Sequence, residues 1–387
     1  MFVIDYPYVS DYLLDSLREL DLPVLDTPQA RSLAKDAPLA YVDEIEFSAR
    51  MALGGKVCTN SENGLGHVLR CRCNEDLARQ IDICKDKALF RETVAALHPG
   101  YVFHRIPFDG LADFDASSMP CPFVVKPTRG FFSLGVHVVD SPEDWPAAVK
   151  AIEGERAALN AEYPEAVVSG GEFIAEASID GEEYAIDVYF DAEGNPVITN
   201  IMHHAFLYAD DISDRLYYTS ARIIETWLLR FTDYLRDVGR ECGFRNFATH
   251  VEVRVTATGD ILPIEANPLR FAGWCVADMT AMAWGFNPYE AYFKELRPDW
   301  DAILTADQGH VTVMVIGDLP SGMDRTAIRS IDYDGFRSLF SNMLELRKID
   351  YMQYPVFAFA YASMPEGELD DLKTVLAQDF SRFVEMK

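Results

Sequence analysis

The chain is poor in positive charge. Against 62 Asp and Glu it carries 34 Lys and Arg, a formal charge of -28 over 387 residues. Such a surface repels nucleic-acid phosphates and anionic membranes, so neither is an expected partner. Any site for a phosphorylated ligand must build its own local positive field. No run approaches the roughly 18 consecutive apolar residues that span a bilayer. The N-terminal MFVIDYPYVSDYLLD lacks both the basic start and the unbroken apolar stretch of a signal peptide, so a cytoplasmic protein is expected. No G-x-G-x-x-G follows the first strand-like run, which removes the sequence argument for a dinucleotide cofactor. No glycine loop ends in G-K-[ST] before a helix, which excludes a Walker A site. The seven cysteines, at 58, 71, 73, 84, 121, 242 and 275, are odd in number and lack zinc-type spacing. Cys71 and Cys73 near His67 could hold a metal, but buried free thiols in a reducing compartment are the simpler reading.

What is present is a globular composition, 49% hydrophobic, with helical and strand-like patterns alternating throughout. The expectation is a mixed α/β and α+β protein of two or three lobes. Residues 1–85 form an N-terminal α/β lobe, 86–300 a central domain with a lid at about 120–175, and 301–387 a small α+β extension that packs on the main body or closes over it.

Chemistry concentrates in HVEVRVTATGDILPIEANPLRFAG, His250 to Gly273. Alternation sets Phe247, Thr249, Val251, Val253 and Val255 on one face of the first run and His250, Glu252 and Arg254 on the other. In the second run Ile261, Pro263 and Glu265 are expected to share a face. A turn centred on Thr258-Gly259 places Glu252 opposite Glu265. At ~5 Å and an effective dielectric of ~20, two such carboxylates repel by ~3 kcal/mol and call for a counter-charge. A divalent cation is the economical one. With Asn267 added, two carboxylates and an amide suit Mg²⁺ or Mn²⁺ better than zinc. The competing reading is two glutamates meeting by accident on a solvated face of an acidic chain.

Upstream, NEDLARQIDICKDKALFRETVAAL reads as two helices meeting near Lys85 to Lys87, with Lys87 opening the second. In CPFVVKPTRGFFSLGVHVVD a strand ending at Lys126 leads through a glycine-containing loop into a second strand. Such a loop can cover phosphates, with Lys126 as a point charge and the N–H groups of Gly130, Ser133 and Gly135 as donors, or it can be an ordinary hairpin. GEFIAEASIDGEEYAIDVYFDAEGNPVITNIMHHAF reads as three strands, and Glu183, Ala185, Asp187 and Tyr189 share one face of the second. His203 and His204 near the end of the third fit a structural role better than a catalytic one. ADMTAMAWGFNPYEAYFKEL reads as helix up to Pro298.

Taken in order, Lys87, VVKPTRGFFSLGV, FIAEASIDGEE and HVEVRV with ILPIEANPLR resemble the ATP-grasp superfamily over roughly residues 85 to 290. The resemblance implies ATP held between two α+β subdomains, as in the core shared by carboxylate-amine ligases, carbamoyl phosphate synthetase and biotin carboxylase. It implies Lys87 and Lys126 at the ATP phosphates and base, Lys126 with a catalytic share as well. Glu176 with the backbone of Ala177 to Ile179 would lie at adenine, and Glu183 at ribose. Glu252, Glu265 and Asn267 would hold Mg²⁺, and Arg270 would act as the catalytic arginine of an acyl-phosphate intermediate. The expected activity is an ADP-forming ligase joining a small carboxylate to an amine. The alternatives are a bicarbonate-activating carboxylase or carbamoyl-phosphate type of enzyme, or a non-catalytic nucleotide-binding module. A homodimer is the commonest symmetric assembly for such a protein. The sequence departs from the family's pattern at Phe131-Phe132, where a second glycine and a small residue are usual, and in Asn-Pro-Leu-Arg, one residue longer than the commonest form.

Overall fold

The computed structural model describes the chain apart from residues 36, 72, 131–134, 163–170, 207–214, 308 and 321. Four short strands, β1 (Phe2–Val3), β2 (Pro23–Leu25), β3 (Ala40–Val42) and β4 (Cys58–Thr59), make a parallel sheet in the order β3-β2-β1-β4. Parallel strands need crossover connections, and amphipathic helices supply them. The first, Asp11–Glu19, is capped by Ser10, whose side chain accepts from Leu13 N–H, and it buries Leu13, Leu14 and Leu17.

A second sheet holds β5 (Phe103–Pro107), β6 (Phe123–Pro127), β7 (His137–Val139) and β8 (Glu172–Ala177) in the antiparallel order β5-β8-β6-β7. Strand β6 and strand β7 flank the glycine-containing loop. The main sheet is built from β9 (Glu182–Phe190), β10 (Pro196–His204), β11 (Leu216–Ser220), β12 (Phe247–Val255), β13 (Ile261–Pro268) and β14 (His310–Asp318). Beyond β15 (Ile328–Ile331), strands β16 (Met343–Lys348) and β17 (Val356–Pro365) complete it in the order β13-β12-β9-β10-β11-β14-β17-β16, and β18 (Val384–Met386) pairs β15. The C-terminal segment therefore continues the main sheet.

Helix Ala221–Cys242 packs along this sheet, opened by the Ser220 cap and ended by Gly243 at φ +68°, a left-handed stop that glycine adopts freely. It buries Ile223, Ile224, Phe231, Leu235 and Val238 against Tyr184, Ile186, Val188 and Phe190, the apolar face of β9. The same core takes in Val3, Phe47, Ile81 and Phe90, so the N-terminal strands and the following helices share it. The segment expected as helix up to Pro298 is two helices, Met279–Trp284 and Pro288–Lys294, because Gly285 at φ +73° ends the first and Asn287 caps the second. No helix of the described residues is long and apolar enough to cross a membrane.

Candidate active site

Strand β8 belongs to the second sheet and β9 to the main one, so residues 178–181 are the crossing between them. Gly181 sits at φ +145°, and a Cβ there would lie 2.3 Å from the Val255 carbonyl oxygen, so only glycine allows the approach. Beside the crossing, helix Lys87–Val94 brings Arg91 to β8. Arg91 Nε donates to Glu176 Oε2 at 2.8 Å, and Lys126 Nζ lies 2.6 Å from Oε1. Burial alone would raise the Glu176 carboxyl, but the charges of Arg91 and Lys126 hold it down to about 2. Glu176 thus anchors two cations, a use its sequence context did not suggest. Of the backbone expected at adenine, Ala177 N–H donates to Val102 O at 2.9 Å and Ala177 O accepts Tyr101 Oη at 2.9 Å. Ile179 O accepts Arg254 Nη1 at 2.7 Å. Glu183 accepts from Arg254 Nε at 3.0 Å and is 2.7 Å from His204 Nδ1, whose ring stacks on Tyr217.

Strands β12 and β13 pair Glu252 with Glu265 and His250 with Asn267. The register near the turn is offset by one, with Val253 opposite Pro263 and Val255 opposite Ile261, because Ile264 bulges out of the ladder. Ile261 and Pro263 therefore lie on the opposite face from Glu265, contrary to the simple alternation. The bulged Ile264 carbonyl accepts Arg91 Nη2 at 2.9 Å, which ties the hairpin to the Glu176 cluster.

The facing carboxylates are partly answered from within the protein. His250 Nε2 is 3.3 Å from Glu252 Oε1, and Lys87 Nζ is 3.6 Å from Glu265 Oε2. Asn267 Nδ2 donates to Glu265 Oε1 at 3.0 Å, which leaves the amide oxygen as a further ligand atom. Removal from water and then the charge of Glu265 raise the Glu252 carboxyl. Withdrawal from water would raise Glu265 too, but Lys87, the Asn267 hydrogen bond, Lys126 and Arg270 bring it to about 2. His250, despite burial that would lower it, is lifted to about 9 by hydrogen bonds to Asp187 and Glu252, so it is a cation at neutral pH. Among the described residues no three His, Cys, Asp or Glu side chains gather as a metal cluster. The donor set stays at two carboxylates and an amide, an all-oxygen set that fits Mg²⁺ or Mn²⁺ with other ligands supplied by water or phosphate.

The loop after Asn267 carries Arg270. Leu269, at φ +54°, gives its carbonyl to Thr59 N–H of the N-terminal sheet at 2.6 Å, and Ala272 N–H donates to Asp187 Oδ1 at 2.8 Å. Arg270 Nη1 donates to Phe271 O at 3.0 Å, and Nη2 lies 3.7 Å from Glu62, which also pairs with Lys85. Lys87 Nζ donates to the Gly130 carbonyl at 3.2 Å. Gly135 turns at φ +72° over the Pro127 ring. Ser133, with Phe131 and Phe132, lies outside the described residues.

Residues 119–278 match the family model of the ATP-grasp domain. That segment is similar to an ATP-grasp domain. That span includes Lys126, Glu176, Glu183, Glu252, Glu265, Asn267 and Arg270, while Lys87, Arg91 and Glu62 reach it from upstream. A 71-residue segment is 38% identical to the ATP-grasp enzyme fsqD of Aspergillus fumigatus, covering 18% of this chain and 10% of that protein, so the match spans about a tenth of the curated relative's length. The fold is similar to an L-amino acid ligase from Bacillus licheniformis, with a TM-score of 0.71 and 18% identity over 100% of this chain and 98% of that one. It is also similar to a biotin carboxylase from Campylobacter jejuni, with 0.66 and 13% over 100% and 92%. An N5-carboxyaminoimidazole synthase from Aspergillus clavatus gives 0.67 and 14% over 98% of each chain.

Sequence reasoning passed over Arg91 and Glu62 as parts of this site, and reached Asp187 and His250 only as members of the polar faces that carry Glu183 and Glu252. Arg91 had a signal, a charge on the face of its helix that also carries Ala88, Phe90 and Val94, all buried. Glu62 had none, since a turn explains Ser-Glu-Asn-Gly without it.

Proposed function

We propose that the protein is an ADP-forming ligase that phosphorylates a small carboxylate with ATP and joins the acyl phosphate to an amine or amino acid. The observation that supports this best is the convergence on one carboxylate, Glu265, of the charges of Lys87, Lys126 and Arg270 beside the facing Glu252. Acidic residues in excess with cations around them suit a polyphosphate and its counter-ion. The acidic surface elsewhere would repel that ligand.

Mg²⁺ or Mn²⁺, held by Glu252, Glu265 and Asn267, would supply neutralisation of phosphate charge. Lys87, 3.6 Å from Glu265, would balance the charge of a transferred phosphoryl group, and Lys126, tethered to Glu176, would add its field. A carboxylate oxygen bonds to the γ-phosphorus, the bond to the β,γ-bridging oxygen breaks, and ADP leaves. Arg270, held by one hydrogen bond to Phe271 O and a long contact to Glu62, keeps donors for a forked grip on the carboxylate or its acyl phosphate. The amine then attacks the acyl carbon, phosphate departs with the carboxylate's oxygen, and the amine loses a proton. Residues 120–175 would serve as the lid that keeps water from the acyl phosphate.

The test is release of ADP and phosphate with Mg²⁺ across a panel of carboxylates and amines. Release that needs both partners supports the ligase. Release that needs bicarbonate instead would replace it with the carboxylase reading, to which the biotin carboxylase likeness lends the fold alone. ATP binding with no release from any pair would leave a nucleotide-binding module.

A further inference from the structure

A cavity of about 230 Å³ opens between four parts of the chain: the segment after β1, Ser32 and Leu33 of the helix Pro28–Leu33, the loop after Arg270, and residues 348–354 from the end of β16 toward β17. Its lining includes four aromatic residues, Tyr6, Tyr8, Trp274 and Tyr354, with Pro7, Leu33 and Ile349 adding apolar surface. We propose that this cavity receives the side chain of the amine or amino-acid substrate, and that this side chain is aromatic or large and apolar. The inference rests on the ligase reading above.

Size and chemistry set the class. An apolar cavity of about 150 Å³ takes up benzene, so the larger volume here has room for a ring and a short polar chain. The charged groups at its edge, Lys348 and Asp350, are opposite in sign and already engaged. Lys348 Nζ lies 4.4 Å over the Tyr333 ring, and Asp350 accepts from Met352 N–H at 3.0 Å and Gln353 Nε2 at 2.8 Å. Without a convergent surplus of charge the cavity does not select a phosphate or a second carboxylate. Its ring faces select apolar surface and favour edge-to-face contact.

Both inner walls are attached to residues that adjoin Arg270. Asn60 Nδ2 donates to Tyr8 O at 2.7 Å and Asn63 Nδ2 to Tyr6 O at 3.0 Å, and between them in sequence stands Glu62, 3.7 Å from Arg270. On the other side, a Cβ on Gly273 would lie 3.4 Å from Arg270 Nη1, and the next residue is Trp274. Trp274 is held at φ +55° with its ring edge-on to Tyr354 at 5.0 Å and to Phe359 at 5.5 Å. A tryptophan in the left-handed region is an outlier of the kind that surrounding structure must enforce. Tyr354 comes from the C-terminal segment, which acquires a role: it closes the cavity.

The test compares wild type with Tyr354→Ala and Trp274→Ala, each checked for an unchanged melting midpoint. For the amine partner, kcat/KM is measured with phenylalanine and with glycine. The inference expects the phenylalanine-to-glycine ratio to fall at least tenfold in Tyr354→Ala, mainly through KM. An unchanged ratio with turnover intact overturns it while leaving the ligase reading standing. If wild type turns over no pair at all, the ligase reading fails separately, and the cavity is tested by titrating phenylalanine against tryptophan fluorescence. A saturable change in wild type that is lost in Trp274→Ala supports the cavity as a binding site, and no saturable change overturns it. Should Trp274→Ala fail to fold, Tyr354→Ala decides by at least a tenfold weaker midpoint in the same titration, an unshifted midpoint counting against the cavity.

Discussion

The second sheet and the main sheet each hold buried carboxylates, but they balance them in opposite ways. In the second sheet one carboxylate, Glu176, faces two cations, Arg91 and Lys126. On the main sheet three carboxylates, Asp187, Glu252 and Glu265, make direct ion pairs with two cations, His250 and Lys87, while Lys126 and Arg270 act on Glu265 from farther off. A carboxylate with more cations than it needs is a finished structural joint. A cluster with more carboxylates than directly paired cations leaves charge to be answered, and Glu252, pushed upward by burial and by Glu265, bears it. The first arrangement reads as a clamp between helix, hairpin and second sheet, the second as a place for a divalent ion and phosphate.

The sharpest way to break this contrast is to remove one carboxylate from each cluster. Glu265→Ala is expected to cut turnover by at least about a hundredfold, the scale of losing a principal electrostatic stabiliser, with the melting midpoint nearly unmoved. Near-normal ADP release would show that the hairpin is no metal site. Arg91→Ala should act the other way, costing about 3–5 kcal/mol of stability because Glu176 loses a buried partner; a denaturant midpoint within error of wild type would contradict the clamp. Next comes pH. Glu176 sits at about 2 in the folded chain against an ordinary 4.5, so its contribution is complete above 4.5 and fades as pH falls through that value toward 2. Denaturant midpoints taken between pH 6 and 3 should fall less steeply in Glu176→Gln than in wild type, and parallel curves would argue against it. The smallest effect belongs to Glu62→Gln, whose long contact to Arg270 predicts a loss of kcat/KM within about tenfold and no change in stability.

How far these clusters could be read from residues alone also differs. The Glu252–Glu265 pairing was legible, because alternation and the Thr258-Gly259 turn suffice to bring them face to face. It came out right through two cancelling offsets: the loop centres on Thr258, with Gly259 N–H bonded to Thr256 O, and the bulge at Ile264 restores the register. The bulge was invisible because its carbonyl is taken by Arg91, 173 residues away. Glu176 was hidden for the same reason, its partner Arg91 lying 85 residues upstream. The segment after residue 300 was legible as an α+β extension, yet not as part of the main sheet, since β14 pairs back to β11 across a long connection. Local pattern carried the elements, and long-range ion pairs decided which of them became a site.

The central claim is that a carboxylate is activated by phosphoryl transfer at the Glu252–Glu265 hairpin. It is tested most directly with a carboxylate labelled in both oxygens with oxygen-18, in the presence of ATP, Mg²⁺ and an amine that supports ADP release. The account predicts one labelled oxygen in each released phosphate, in step with ADP and absent in Glu265→Ala. ADP formed with unlabelled phosphate would contradict it.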